Sequence, residues 1–231
     1  PGSIYIVDPL AADDMSPLGD VLAEGRVEKI VHSADYDLRC LDRDWGFRVR
    51  NLFDTSIGAS LLGLSRTGLG AVLSEVLGVE IPKSRRLQKS DWTIRPLGAE
   101  ALNYAASDVA YLHELREVMC ARLAGLGRLS WMTEECERQS TIRYEAPDPE
   151  TAFLSVKGSY ALDGRGLAIL GELVAMRERH ALRRRRPHFR VMANETLIAL
   201  ASGPEADLRK VDGLGPFGHK PLLEELRGAL A

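Results

Sequence analysis

The chain has 231 residues, a formal net charge of −3 and 45% apolar side chains, enough to pack one large domain or two smaller ones. No apolar run approaches the length of a membrane span and the first residues do not resemble a secretory signal, so a membrane partner is not expected. Charge is uneven: residues 151–231 hold 13 Lys/Arg and 9 Asp/Glu, a net of +4, while residues 1–150 hold 17 and 24, a net of −7. That asymmetry suits a carboxylate site joined to a nucleic-acid-binding module, and chance surface composition explains it nearly as well.

In chain order, Ile4–Val7 is a short β-branched run that reads as a strand and is broken by Asp8-Pro9. Ser16-Pro17 reads as a helix start, hydroxyl cap then proline, with the helix running to about Glu24 and stopping at Gly25. Val27–Val31 reads as a second strand, followed by His32 and by a helix from near Ala34 that carries Asp37, Leu38 and Leu41. Arg48–Phe53 is a third strand candidate, and Asp54-Thr55 is placed to cap the next helix through Leu61-Leu62. Leu69, Val72, Leu73, Val76 and Leu77 give helical spacing over Thr67–Leu77, closed by Gly78. Gly98 to about Leu123 reads as one helix ending before Gly125, with Leu102, Val109, Leu112 and Leu115 on its apolar face. Strands alternating with helices imply an α/β layer fold.

A further helix is expected over Leu129–Ile142, and Ala146-Pro147-Asp148-Pro149 marks a boundary. The division is then 1–125 for the α/β domain, 126–149 for a helical linker and 150–231 for a small all-helical module. In the module, Arg165–Leu182 has helical spacing, Asn194 is placed to cap a helix over Glu195–Ala201, and shorter helices are expected near Glu205–Val211 and from about Lys220. Cys40, Cys120 and Cys136 are odd in number, widely spaced and in no metal-binding pattern, which points to a reduced, cytoplasmic compartment.

Tyr104 and Asp108 lie four apart, so on a helix they project from one face a turn from each other. Asp37, five residues past His32, could join Asp108 in binding hard divalent cations, which prefer oxygen ligands. Taken singly, each has a second reading: an Asp near a helix start as a cap, a Tyr at helical spacing as core.

The combined pattern is more specific. His32-x4-Asp37-Leu38, Asp54-Thr55, Leu61-Leu62-Gly63, Gln88-x-Ser90-Asp91-Trp92-x-x-Arg95-Pro96-Leu97 and Tyr104-x-x-x-Asp108-Val109-x-Tyr111-Leu112 follow in order. Over residues 4–120 the chain resembles the catalytic domain of the ribonuclease D family, of the DEDD group of 3′→5′ exonucleases. Tyrosine in the last motif is similar to the DEDDy subgroup. From Leu154-Ser155-Val156-Lys157-Gly158 through Arg177-Glu178 and Asn194-Glu195-Thr196-Leu197 to Gly213, the second half resembles an HRDC domain, with Met176 where that family usually has tryptophan.

The resemblance implies a ribonuclease H-like α/β exonuclease domain, N-terminally incomplete, followed by one HRDC domain. It implies two divalent ions, Mg²⁺ or Mn²⁺, and no small-molecule cofactor. Asp108 and Asp37 would be metal ligands, and Tyr104 would position the attacking water. His32, Arg95 and the run Arg183, Arg184, Arg185 and Arg186 would contact nucleic acid; a satisfied strand-end histidine, packing of Arg95 against Trp92 and a solvated helix end are the other readings of the three. The substrate would be RNA with a free 3′ end, tRNA precursors above all, shortened to nucleoside 5′-monophosphates. One departure matters: the family's Asp-x-Glu strand motif is absent from these residues, and Asp13-Asp14 is no substitute. The missing motif is expected upstream of Pro1; the alternative is a catalytically inactive nucleic-acid-binding remnant.

Overall fold

The computed structural model describes residues 3–81, 84–203, 213–214 and 224–228. The chain divides into two compact units, Pro1–Glu145 and Ala146–Ala231.

In the first unit, helix α1 (Ser16–Ala23) precedes strand β1 (Lys29–Val31), helix α2 (Asp35–Trp45) and strand β2 (Leu52–Asp54). β1 and β2 pair in parallel, Lys29 opposite Leu52 and Val31 opposite Asp54, so β1–α2–β2 is a crossover unit. Helices α3 (Thr55–Leu61), α4 (Leu69–Leu77), α5 (Arg85–Gln88), α6 (Ala99–Ser107), α7 (Leu112–Gly125) and α8 (Leu129–Ser140) follow. One core holds the unit together: Leu38, Phe53, Ala59, Val72, Leu73, Leu115, Met119, Leu123, Met132 and Cys136 are all buried. α4 ends as expected, with Gly78 in the left-handed region at φ 70°.

Four expectations for this unit are corrected. Ile4–Val7 forms no strand; its side chains are exposed, and a short apolar run without a partner strand has nothing to hold its backbone groups. Ser16 is not the cap of α1: it is the first helical residue, and Asp14 accepts its N–H and its hydroxyl at 2.8 Å. The long helix expected over 98–123 is two, α6 and α7, separated by a turn over Asp108–Tyr111. The helix expected in a linker, α8, packs against β2 and α3, and its Met132 and Cys136 enter the core. All three cysteines are free.

The second unit has no strand among its described residues. Two short turns, Ala152–Ser155 and Ser159–Ala161, lead into α9 (Gly164–Arg184), α10 (His188–Val191) and α11 (Asn194–Ser202). Asp163 caps α9 by accepting the Gly166 N–H at 2.7 Å. Gly166 is needed there, because a β-carbon would stand 3.2 Å from the Ala201 carbonyl oxygen of α11. Leu170, Leu173, Met176, Met192, Leu197 and Leu200 form the core.

Asn194 does not cap α11. Its side-chain oxygen instead takes the buried Arg177 guanidinium at 2.7 Å, because an arginine taken out of water needs an acceptor more than an exposed helix end needs a cap. The helix expected near Glu205–Val211 lies outside the described residues; 224–228, within the last expected helix, is helical. No helix among the described residues is long and apolar enough to cross a membrane.

Candidate active site

The site is assembled around β1, β2 and the α6–α7 break. β1 ends at Val31, and the chain turns through His32 and Ser33 into α2. Ser33 sits at φ 63°, a strained conformation for a residue with a side chain. The carboxylate of Asp54, at the end of β2, holds that turn: one oxygen accepts the Ser33 N–H at 2.9 Å, the other the Ala34 N–H at 2.8 Å. The first oxygen also accepts the Ser56 N–H and hydroxyl, each at 2.8 Å, which caps α3. Burial raises the Asp54 pKa, but these four donated bonds outweigh it and hold the carboxyl below its usual range. Asp54 is thereby fully occupied as a structural anchor.

The turn delivers His32 and Asp37. His32 Nδ1 lies 2.8 Å from the Thr55 hydroxyl, which donates to the Val31 carbonyl at 2.9 Å. Burial lowers the His32 pKa against the pull of the Asp54 charge, so the ring is neutral at pH 7. Asp37 lies in the first turn of α2. Loss of hydration and then the Asp54 charge push its pKa up.

From the other side, α6 brings Tyr104 in its last turn and Asp108 at its C-terminal cap. The Asp108 N–H donates to the Tyr104 carbonyl at 3.3 Å, so the four-residue spacing does place them a turn apart. The tyrosine is half-buried, with its ring centroid 6.1 Å from that of Trp92. Burial and then the Asp108 charge raise the Tyr104 pKa, keeping the phenol protonated. Burial also raises the pKa of Asp108.

His32 and Asp37 from the β1–α2 segment and Tyr104 and Asp108 from the end of α6, far along the chain, line one open cavity of about 470 Å³. An adjoining lobe of about 440 Å³ shares Gly68, Leu69, Gln88, Tyr104 and Asp108, and adds Arg66 and Ser84. The remaining expected residues fall elsewhere. The Arg95 guanidinium is bound by both oxygens of Asp8 at 2.6 Å and by the carbonyls of Trp92 and Ile94. Through these bonds Arg95 ties the 87–97 loop to the N-terminal segment. Arg183, Arg184, Arg185 and Arg186, in the second unit, are exposed at the end of α9. Sequence reasoning missed Arg66 and Gly68, because they lie in an irregular stretch where no periodicity or motif marks them.

The ligand set has a limit. Asp37 and Asp108 are the right donors for a hard divalent cation, but among the described residues no group of three or more Asp, Glu, His or Cys could hold one. Two carboxylates fall short of a two-ion centre.

A family model described as 3′-5′ exonuclease matches residues 2–124, and the HRDC domain model matches residues 166–221. Ribonuclease D of Desulfotalea psychrophila is 32% identical over 200 residues, covering 86% of this chain and 53% of that protein. The crystal structure of Escherichia coli RNase D, described as an exoribonuclease involved in structured RNA processing, superposes with a TM-score of 0.74 at 29% identity. The match covers 96% of this chain and 60% of that one. Brucella melitensis NrnC, solved with bound Mg²⁺, superposes with a TM-score of 0.50 at 30% identity, over 64% of this chain and 67% of that one. The chain thus spans about half the length of the curated relatives it matches.

Proposed function

Because this chain belongs to the ribonuclease D family of 3′-5′ exonucleases, we propose that it hydrolyses RNA from the 3′ end and releases nucleoside 5′-monophosphates. The observation that carries this reading is the gathering of Asp37, Tyr104 and Asp108 on one cavity from separate elements. In this reading Asp108 and Asp37 each ligate a divalent ion, Mg²⁺ or Mn²⁺, alongside carboxylates beyond these two. Such ions activate a water and stabilise the leaving oxygen of a phosphodiester. The chain's own part is to hold two poised carboxylates and a protonated Tyr104 hydroxyl that orients the water. His32, neutral and braced by Thr55, contacts the substrate as a hydrogen-bonding wall.

The module over 150–231 serves as an RNA-holding HRDC domain after the exonuclease domain. The exposed arginines 183–186 neutralise phosphates there and make binding salt-sensitive. Tertiary RNA such as a tRNA precursor with a free 3′ end is the substrate class, in the cytoplasm, where free cysteines stay reduced. A specific observation favours a second reading: among the described residues only Asp37 and Asp108 bring carboxylates to the cavity, and with no further ligand the chain binds nucleic acid without cleaving it.

One assay separates them. RNA labelled at its 5′ end is incubated with the chain and Mg²⁺. A ladder shortening from the 3′ end with release of monophosphates supports the exonuclease; salt-sensitive binding without shortening supports the remnant, and internal cuts would refute both.

The cavity itself can be tested by filling it. Gly68 lines both lobes, has ordinary extended backbone (φ −70°, ψ 142°), and a β-carbon there would meet no atom within 4 Å. Gly68 is the N-cap of α4, where phenylalanine is less favourable than glycine, so Gly68→Phe should cost about 1 kcal/mol of stability, too little to unfold the unit. RNA affinity, read by fluorescence anisotropy, should nonetheless drop; unchanged affinity would mean that RNA does not use this cavity.

A further inference from the structure

We propose that Arg66 is a substrate-positioning residue, which holds a backbone phosphate of the RNA strand in the lobe beside the two carboxylates. This rests on the exonuclease reading above and deepens it. Two observations independent of any motif point to it.

The first is charge. The two joined lobes present Asp37 and Asp108, and among the described residues Arg66 is the one lysine or arginine that lines either. An anionic strand entering a cavity with two carboxylates is repelled unless a cation offsets them, and a guanidinium matches phosphate geometry with two parallel N–H donors.

The second is availability. Most other described arginines near the cavity are spoken for: Arg95 by Asp8, Arg116 by Glu28, Arg39 by Asp35, and Arg128 by the Leu61 carbonyl. Arg66 is exposed and has no hydrogen bond or ion pair among the described residues. Arg50 is likewise exposed and unpaired there, but it lines neither lobe, which makes it the natural control.

The surroundings of Arg66 agree with a phosphate. The first turn of α4, Leu69 and Gly70, lines the same lobe, and no side chain caps that helix. The Leu69 and Gly70 N–H groups have no acceptor among the described residues and lie at the positive end of the helix dipole. Ser84 and Gln88 add neutral polar groups to the same lining. A strand whose terminal linkage lies against Tyr104 and Asp108 would then run its next phosphate past Arg66, since the lobes meet at those two residues.

The test is a phosphate walk. Single-stranded octaribonucleotides with a 5′ fluorophore, each with one linkage replaced by a neutral methylphosphonate, are titrated with the full 231-residue chain in EDTA to prevent cleavage. For the unaltered chain, neutralising one linkage near the 3′ end should weaken binding by about tenfold, and Arg66→Ala should weaken binding of the all-phosphate RNA by a similar factor. The decisive result is non-additivity: in Arg66→Ala, neutralising that same linkage should cost nothing further. The salt slope should fall by about one, Arg66→Lys should recover part of the affinity, and Arg50→Ala should match the unaltered chain. If Arg66→Ala keeps the full loss at that linkage, the assignment of Arg66 is wrong while the 3′-end site stands. If the unaltered chain does not bind, or is indifferent to every linkage near the 3′ end, the site reading falls and Arg66 with it.

Discussion

Asp108→Asn and Asp37→Asn should each reduce turnover of the complete enzyme by at least about 10²–10³-fold, the cost of removing one group that stabilises developing charge. Asparagine keeps the shape of aspartate and removes the charge, so the change reads the carboxylate alone. Neither variant should unfold. Both carboxyls have pKa values raised in the folded state, by loss of hydration in each case and by the Asp54 charge for Asp37. A raised carboxyl pKa means that the folded protein takes up the proton more readily than the unfolded chain does. Each charge therefore opposes folding at neutral pH, and the opposition disappears as pH falls below the ordinary value of 3.8. The neutral variants should melt at the same temperature as the parent or higher, the usual sign of a group kept for function at a cost in stability. Without metal, the stability gap between the parent and the neutral variants should narrow as pH falls towards 3.8. The measurement is monophosphate release from RNA, with thermal melts of the metal-free proteins against pH. Full activity in both variants would sink the assignment of these two residues.

Asp54→Ala should have the opposite profile, unfolding the first unit by about 3–5 kcal/mol and taking activity with it. Asp54 is completely buried and accepts four hydrogen bonds from Ser33, Ala34 and Ser56. Bonds to a charged acceptor are worth about 1.5–3 kcal/mol each, and donors left without a partner add their own desolvation cost, so even a non-additive sum is large. Alanine also releases Ser33 from its left-handed conformation and α2 from its start, so the His32–Asp37 segment loses its anchor. The sign of the pH dependence is reversed relative to Asp108. The folded pKa of Asp54 is depressed, so its contribution is fully present above the unfolded value of 3.8 and is lost as pH falls through the lower folded value. Denaturant midpoints should thus fall far more for Asp54→Ala at pH 7 than at pH 2 to 3. Equal losses at both would mean that the carboxylate is not what stabilises the turn.

These two results would separate residues that work on substrate from residues that hold them in place, a distinction the motifs do not draw. Asp37, in the first turn of α2 after β1, and Asp54, at the end of β2, both sit in polar stretches that follow apolar runs. The fold distinguishes them: Asp54 is buried and accepts four bonds, whereas Asp37 is exposed and accepts none from the described residues.

Several features were legible in the chain by itself because they are local. Helix α4 and its Gly78 stop follow from apolar spacing and a glycine free to adopt positive φ. The cap by Asp54 and the one-turn separation of Tyr104 and Asp108 depend on neighbours two to four residues away. The α9 stripe, including buried Leu170, Leu173, Val174 and Ala181, was readable from the same periodicity. What tertiary structure decided depends on partners far along the chain. The Arg95 guanidinium is taken by Asp8, 87 residues away, and the Asn194 side chain by Arg177, so two polar groups with plausible local roles were claimed by distant ones. Helical periodicity ran unbroken through 98–123, yet the chain turns at Asp108–Tyr111, because α6 faces the cavity while α7 packs its Leu115, Met119 and Leu123 into the core. Apolar Ile4–Val7 looked like a strand, but a strand exists only where another backbone accepts its hydrogen bonds. Local propensity and spacing can be read from one dimension; which charge meets which, and which wall a side chain faces, is settled only when burial forces every polar group to find a partner.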